Sequence, residues 1–521
     1  MSTISSSRSN SIALRRTALA GAIAAASLLS ACAPVQQGAQ HCHPINAYLT
    51  KNKDAALPVV LSAGTMTKID NAMDNLMHNT NNANVPGCGV AITRGAQIVA
   101  LRTYGKADIA GNRDFDLGTL SGIGSVSKTY TALGLLRLME MGKVNLKHKA
   151  TDYLAIGNTV PWANATVEDL LVHRSGMKWN PTWDANQFND GPSIEAKYPN
   201  VEFPQLSPRL VLPGFASVPQ NTPYVVGGKE LHYSNTAYTV AGAVIDEQTK
   251  DLVGPVTRRG YEDFIWSEVG RGNAVDEPAS PAMCMGADLR EDMMPTLANG
   301  YDENGKKSNL SDSSWSGWGW SGPAGSWWVT TGDLGRLLVT LQTSAVVNLA
   351  TIQSQMLPDR GALMDDADPN ENEKFNSDLH VGLGLELSPT NSLQKWYGKA
   401  GGIAGYTSYV RVYPNASDAT KTIGVALMCN RSGVGDGVLA DIRGFVANDG
   451  KLGIPGVESG AMKSARQQVA RYAVDGRLDE DEALQMIRDL SQSADGQAIL
   501  DAAARNDWDT AASLVLRRYS R

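Results

Sequence analysis

The stretch "SGIGSVSKTYTALGLLRLMEMGK", residues 121–143, sets a serine three places before a lysine, where a glycine-broken segment passes into an apolar-periodic one. Ala132, Leu135, Leu136 and Met139 recur at helical spacing, and Gly142 stands where a helix C-terminal cap is expected. A helix starting here puts Ser125 and Lys128 one turn apart. The ammonium then reaches back toward the hydroxyl, and the positive end of the helix favours negative charge on the serine oxygen. Two readings stay open, because serine is also a favoured helix cap. The pair is moreover a common one: Ser175 with Lys178, and Ser392 with Lys395, repeat it.

The chain has 521 residues, 42% hydrophobic and 19% charged, enough for one main domain with a large core plus extensions. Residues 1–31 are distinct. Arg15 and Arg16 precede "TALAGAIAAASLLSA", an apolar run too short to span a bilayer and followed by Cys32, which reads as an export signal. Leu29, Ser30, Ala31 and Cys32 resemble the bacterial lipobox, which implies lipidation of Cys32 and a cell-envelope location on a membrane anchor; the alternative is a plain signal peptide cleaved nearby. "LRRTALA" fits a twin-arginine pattern only loosely. Losing the three arginines of residues 1–31 takes the formal charge from −7 to −10, and so acidic a mature chain argues against nucleic acid as a partner.

With Cys32 set aside, Cys42, Cys88, Cys284 and Cys429 remain, an even number in a compartment that permits disulfides. "HCH" at 41–43 has no second His or Cys cluster to complete a site, so no metal and no cofactor are assigned. No Gly-x-Ser-x-Gly elbow and no phosphate-cradling Gly-x-x-x-x-Gly-Lys-Ser/Thr loop occurs. The seven histidines are scattered, and His173 in "LLVHRSGM" reads as a structural residue at a helix end.

Residues 32–63 read as a tether, followed by a short helix at "MTKIDNAMDNLMH" and a hairpin of "CGVAITRG" and "QIVALRTYG". Helical stretches and long Pro-, Asn- and Gly-rich loops fill about 144–380, and "TSYVRVYP" and "TIGVALMCN" are strand-like again. Strands at both ends with helices between them indicate an α+β fold whose sheet unites distant parts of the chain. Residues 457–521 read as a C-terminal extension of three or four short helices.

Acyl transfer needs more than one Ser and one Lys, because the leaving group needs a proton and the oxyanion needs donors. Two further stretches supply candidates. "LHYSNTAYTVAGAVIDE" sets Tyr233, Ser234 and Asn235 before an apolar helical run, and "WYGKAGGIAGYTSYV" sets Lys399, Ala400 and Gly401 at the start of a strand. In this order the three stretches resemble the motif set of serine β-lactamases and penicillin-binding proteins. Tyr-x-Asn in the middle makes the class C β-lactamase-like family, which also holds esterases and D-amino-acid peptidases, the nearest pattern. The resemblance spans about 64–448 and extends to "GKVNLKHKATDYL", "TVEDLLVHRSGM", "ANGY" and "WVTTGDLGRLL".

The resemblance implies an antiparallel sheet flanked by helices, a mostly helical lobe, and a serine hydrolase of ester or amide bonds. Esterase or peptidase action on a small or peptide substrate, one bearing a carboxylate included, is favoured over β-lactamase or D,D-peptidase activity. A non-catalytic envelope binding protein is the alternative of a different class. Ser125 would be the nucleophile, Lys128 and Tyr233 its proton shuttle, and Asn235 a hydrogen-bonding partner of Lys128 and substrate. The backbone N–H groups of Ser125 and Gly402, beside Gly401, would form the oxyanion hole. A free tyrosine titrates near 10, so a base near neutrality needs its pKa lowered by roughly 3, and Lys128 and Lys399 are the cations to do it. The pattern departs at Ala400, where the third motif usually carries a hydroxyl; Lys399 supports an acidic group near the scissile bond, while the missing hydroxyl argues against efficient β-lactam turnover. Five of the chain's eleven tryptophans lie in "SSWSGWGWSGPAGSWW", as cleft walls or as packing. Finally, such folds pair their first strand with their last, which brings Cys88 toward Cys429, either bonded or as two buried thiols.

Overall fold

The computed structural model describes residues 61–78, 84–156, 160, 162–177, 208–209, 212, 230–250, 260–270, 284–285, 297–308, 321–363, 379–389, 392 and 394–449. The export signal, Cys32, "HCH", nearly all of the tether, Trp315, Trp318, Trp320 and the 457–521 extension lie outside the described residues.

Eight strands form the main sheet: β1 (Gly87–Arg94), β2 (Gln97–Asp108), β3 (Arg113–Asp114), β4 (His380–Val381), β5 (Glu386–Leu387), β6 (Tyr397–Ile403), β7 (Tyr406–Tyr413) and β8 (Ile423–Cys429). Their order is β3-β2-β1-β8-β7-β6-β5-β4, with every pair antiparallel, so the α+β expectation holds and the two ends of the domain meet at the β1–β8 pair. Alternation explains why β8, "IGVALMC", is apolar throughout. Ile423, Val425, Leu427 and Cys429 join one core cluster, whereas Ala426 and Met428 join the other, so both faces of the strand are covered.

The first face is covered by α1 (Ala63–His78) and α6 (Gly437–Ala447), whose Ile69, Met73, Leu439 and Ile442 pack with Val90, Ile92, Val425 and Leu427. On the second face α5 (Thr331–Thr340) packs against β1, β2 and β8. Thr330 caps this helix: its hydroxyl accepts from the Asp333 N–H while the Asp333 carboxylate accepts from Thr330. Beyond it lies a helical region in which α2 (Ser127–Glu140) packs against α4 (Asn235–Thr249), and α4 against α3 (Val167–Leu171).

The periodicity of α2 understates its burial. Every residue from Ser127 to Leu136 is buried, which marks a central helix with no free face. Trp327 and Trp328 belong to packing. Both are fully buried in a short strand, Trp327–Val329, where the Trp327 indole N–H donates to the Tyr261 hydroxyl at 3.1 Å and Trp328 meets the Tyr406 ring edge-on at 4.9 Å. No helix among the described residues is long and apolar enough to cross a membrane.

Cys88 and Cys429 are directly opposed in the β1–β8 register and form a disulfide, with Cα atoms 4.1 Å apart. An average opposed pair is a little wide for a bond, but the narrower type of antiparallel pair brings Cα atoms to about 4.5 Å, which closes the gap. The bond spans 341 positions, and the loop-entropy account gives such a closure on the order of 5 kcal/mol. Peptide mapping without reduction should recover the two cysteines in one linked fragment. The Cys88→Ala/Cys429→Ala variant should unfold at a distinctly lower denaturant midpoint, and an unchanged midpoint would mean that the bond does not restrain the unfolded chain.

Candidate active site

Gly124 begins a single 3₁₀ turn, Gly124–Val126, that runs into α2. Its φ of +49° suits glycine, and a Cβ there would lie 2.7 Å from the N and O of Gly402. The contact is reciprocal: a Cβ on Gly401 would lie 2.1 Å from the Ile123 carbonyl oxygen and 2.9 Å from the Ser125 nitrogen. Two backbones therefore touch where a side chain on either would collide. Ser408, opposite Gly401 in the β6–β7 register, fixes this approach by donating to the Ile123 carbonyl at 2.7 Å. The Ser125 and Gly402 amides are thus held on adjoining segments, as an oxyanion hole requires.

Ser125 does not cap the helix. The N-cap of α2 is Val126, with no side-chain cap, while Ser125 Oγ accepts from Lys128 Nζ at 3.1 Å and Tyr233 Oη at 2.7 Å. Lys128 is fully buried and also donates to Asn235 Oδ1 at 2.6 Å and the Ala324 carbonyl at 2.5 Å. Its ammonium lies 4.9 Å from the centre of the Tyr233 ring.

The middle residue of Tyr-Ser-Asn explains the spacing of the other two. Ser234 is the N-cap of α4, extended at φ −145° and ψ 115°, and its hydroxyl accepts from the Ala237 N–H at 3.0 Å. Asn235 is consequently the first helical residue, and Tyr233 the last of the incoming segment. His173 holds that segment in place. Its carbonyl accepts from the His232 N–H at 2.7 Å, its Nδ1 accepts from the Ser234 N–H at 3.1 Å, and its ring stacks on Tyr233 at 4.3 Å. Burial, and then the Lys128 and Lys399 ammoniums, hold the His173 pKa well below that of a free histidine, so the ring is neutral with its proton on Nε2. It is a brace, as its place at a helix end suggested.

Lys399, on β6, also stands near the phenol, with Nζ 5.4 Å from the Tyr233 ring centre. It pairs with the Glu386 carboxylate on β5, and both side chains are nearly sealed, 6% and 7% exposed. Glu386 also accepts from the Ala400 N–H at 2.9 Å. Burial by itself lowers the Lys399 pKa, but Glu386 and Tyr233 outweigh it, so the ammonium is held above its ordinary value.

The structure therefore brings together Ser125, Lys128, Tyr233 and Asn235 by direct hydrogen bonds, with Lys399 beside them and Gly401 and Gly402 against the serine turn. Cys32 lies outside the described residues. Sequence reasoning missed Glu386, Ser408 and the Ala324 carbonyl. A signal for Glu386 existed: it is a lone carboxylate in the apolar run "VGLGLEL", and a charge in a strand that well covered needs a distant partner.

The arrangement has a serine oxygen, a phenol and an ammonium in hydrogen-bond contact next to two backbone amides, which is the equipment of a serine acyl-transfer hydrolase. The family model described as Beta-lactamase matches residues 69–448, and the chain belongs to this family of serine hydrolases. Similar proteins include the unguisins hydrolase ungD of Aspergillus violaceofuscus, 26% identical over 194 residues, which are 36% of this chain and 30% of that protein. Penicillin-binding protein 4* of Bacillus subtilis is 24% identical over 180 residues, 34% of this chain and 35% of that protein. The chain thus spans about a third of the length of these curated relatives. Among solved structures, a class C β-lactamase superposes with a TM-score of 0.53 at 16% identity, over 74% of this chain and 96% of the other. The D-amino acid amidase of Ochrobactrum anthropi SV3 superposes with a TM-score of 0.52 at 19% identity, over 74% and 97%. At such identities the likeness is one of fold.

The neutral state of His173 gives an expected acid limb to stability. A histidine in the unfolded chain takes up a proton below about pH 6.5, whereas buried His173 resists it, so the unfolded state binds the extra proton. This contribution is complete above about pH 6.5 and falls by up to about 1.4 kcal/mol per pH unit below it. His173→Asn keeps an acceptor and tolerates the φ of +62°, and should flatten that slope in urea titrations between pH 4.5 and 7. An unchanged slope would assign the acid limb to other groups.

Proposed function

We propose that the chain is an exported, lipid-anchored serine hydrolase that cleaves an ester or amide through an acyl-Ser125 intermediate. The observation that carries the reading is the three-way contact of Ser125 Oγ with Tyr233 Oη at 2.7 Å and Lys128 Nζ at 3.1 Å.

With Tyr233 as the phenolate, Ser125 Oγ attacks the substrate carbonyl and its proton passes along the short Ser125–Tyr233 hydrogen bond to the phenolate oxygen. Lys128 and Lys399 both lie close to the ring, and their positive charge favours the phenolate that accepts that proton, with the Glu386 carboxylate offsetting part of the Lys399 contribution. The tetrahedral oxyanion is received by the Ser125 and Gly402 N–H groups, where each donor contributes a factor of about 10² to 10³ in rate. Tyr233 then returns the proton to the departing oxygen or nitrogen. Water attacks the acyl-serine by the same route in reverse, releasing the acid and restoring Ser125. Asn235 holds Lys128 throughout, so the ammonium does not swing away when the serine oxygen becomes acylated.

An anchor at Cys32 is supported by "LLSAC" at residues 28–32. Cys32→Ser should release the protein from the membrane fraction of a bacterial host and abolish its labelling by radioactive palmitate. Labelling that persists would remove Cys32 as the lipid site.

An uncharged fluorophosphonate should add to Ser125, seen as a mass shift on the peptide that contains it. Ser125→Ala should abolish turnover of p-nitrophenyl esters with the circular dichroism unchanged, and Lys128→Ala and Tyr233→Phe should each lose several orders of magnitude in kcat. Turnover by Ser125→Ala within tenfold of the native enzyme would refute the nucleophile assignment.

A further inference from the structure

An ammonium has three N–H donors. Lys128 directs its donors to Ser125 Oγ, Asn235 Oδ1 and the Ala324 carbonyl. Lys399 donates to Glu386 Oε1 and the Ala400 carbonyl, and its Nζ lies 5.4 Å from the centre of the Tyr233 ring. The two cations that border Ser125 and Tyr233 among the described residues are thus both committed within the protein. Lys399 is committed to a full counter-charge, since its partner is a carboxylate buried as deeply as itself. A substrate carboxylate brought to Lys399 meets an ion pair, and the attraction of the ammonium is largely cancelled by repulsion from Glu386. Nor does Ala400 offer a hydroxyl, and its N–H already donates to Glu386 Oε2 at 2.9 Å.

Resting on the reading of Ser125 as an acylated nucleophile, we infer that Glu386 is a specificity-determining residue that closes Lys399 to anionic substrates, so that the enzyme's ester or amide substrates are uncharged around the scissile bond. This reverses the expectation drawn from Lys399 in the sequence. It also gives Lys399 a different duty: held by Glu386, it is a fixed neighbour of the Tyr233 phenol and not a carboxylate receptor. A buried pair retained at such desolvation cost is consistent with a role in selection, because the same pair contributes little net stability.

The test uses two matched pairs of substrates that differ only in charge. With p-nitrophenyl butyrate against p-nitrophenyl hydrogen succinate, the carboxylate lies on the acyl side. With 3-(butyryloxy)benzamide against 3-(butyryloxy)benzoate, it lies on the leaving side. The native enzyme should show a kcat/KM at least tenfold higher for the uncharged member of each pair. In Glu386→Gln the gap should shrink at least tenfold in one pair or both, through a lower KM for the charged member, while Glu386→Asp, which keeps the counter-charge, should retain the native preference. Equal or better use of the charged member by the native enzyme in either pair overturns the inference, whether or not the variants fold. A folded Glu386→Gln with an unchanged charge ratio in both pairs overturns it as well. Failure of the fluorophosphonate to label Ser125 sinks the hydrolase reading and this inference with it, whereas a labelled Ser125 with a preference for anions sinks the inference alone.

Discussion

The contact between two backbones, the serine turn at 123–125 and β6 at 401–402, is the constraint on which the rest of the site depends. It requires the absence of a side chain at Gly124 and at Gly401, since a Cβ at either would lie 2.9 Å or less from backbone atoms of the other segment. Hydrogen bonds alone do not achieve such an approach; it takes a rigid partner. That partner is the sheet, in which β6 is paired with β7, β7 with β8, and β8 with β1. Ser408 then converts sheet position into turn position by its single bond to the Ile123 carbonyl. The nucleophile is thereby located by strands far from it in sequence, while the groups that move its proton come from the helical side, on α2 and at the start of α4.

Two buried ammoniums in one site would repel each other and strain a fold that gave them no partners. Lys128 donates to three neutral acceptors, Ser125 Oγ, Asn235 Oδ1 and the Ala324 carbonyl, so its positive charge is felt by the serine and the phenol. Lys399 is held by a carboxylate, so most of its field is confined. The neutral imidazole of His173, stacked on Tyr233, adds no third cation. The asymmetry between the two lysines is therefore a property of their partners, not of their distance from Tyr233, which is nearly the same for both.

Much of this was legible in the chain because it is local. Ser-x-x-Lys spans about one helical turn, Tyr-x-Asn straddles a helix start, and the apolar runs of β1 and β8 read as strands. What was not legible is what the fold brings from elsewhere. Glu386 and Lys399 are 13 residues apart on neighbouring strands, and His173 and Ser234 are 61 apart. For those pairs a single sequence offers a residue in need of a partner without naming the partner. The cysteines lie between the two cases: strand pairing was implied by the family resemblance, but whether the sulfurs bond turns on about 1 Å of inter-strand spacing, which is set by the type of pair at that position. The tryptophans of the glycine-rich segment show the opposite difficulty, since a bulky apolar residue suits a cleft wall and an interior equally, and only the neighbours of Trp327 and Trp328 decide for the interior.

The β1–β8 pair also governs when the molecule can become itself. β1 is made early and β8 late, with 341 positions between their opposed cysteines. A ribosome needs on the order of tens of seconds to traverse that distance at about 5–20 residues per second. During that interval the β1–β2 hairpin can form and α1 can cover one of its faces, yet the outer edge of β1 has no strand to pair with and its other face awaits α5. An open, apolar edge of that kind recruits other chains. The hairpin at 87–108 is therefore the part of the fold that needs shielding until residue 429 arrives.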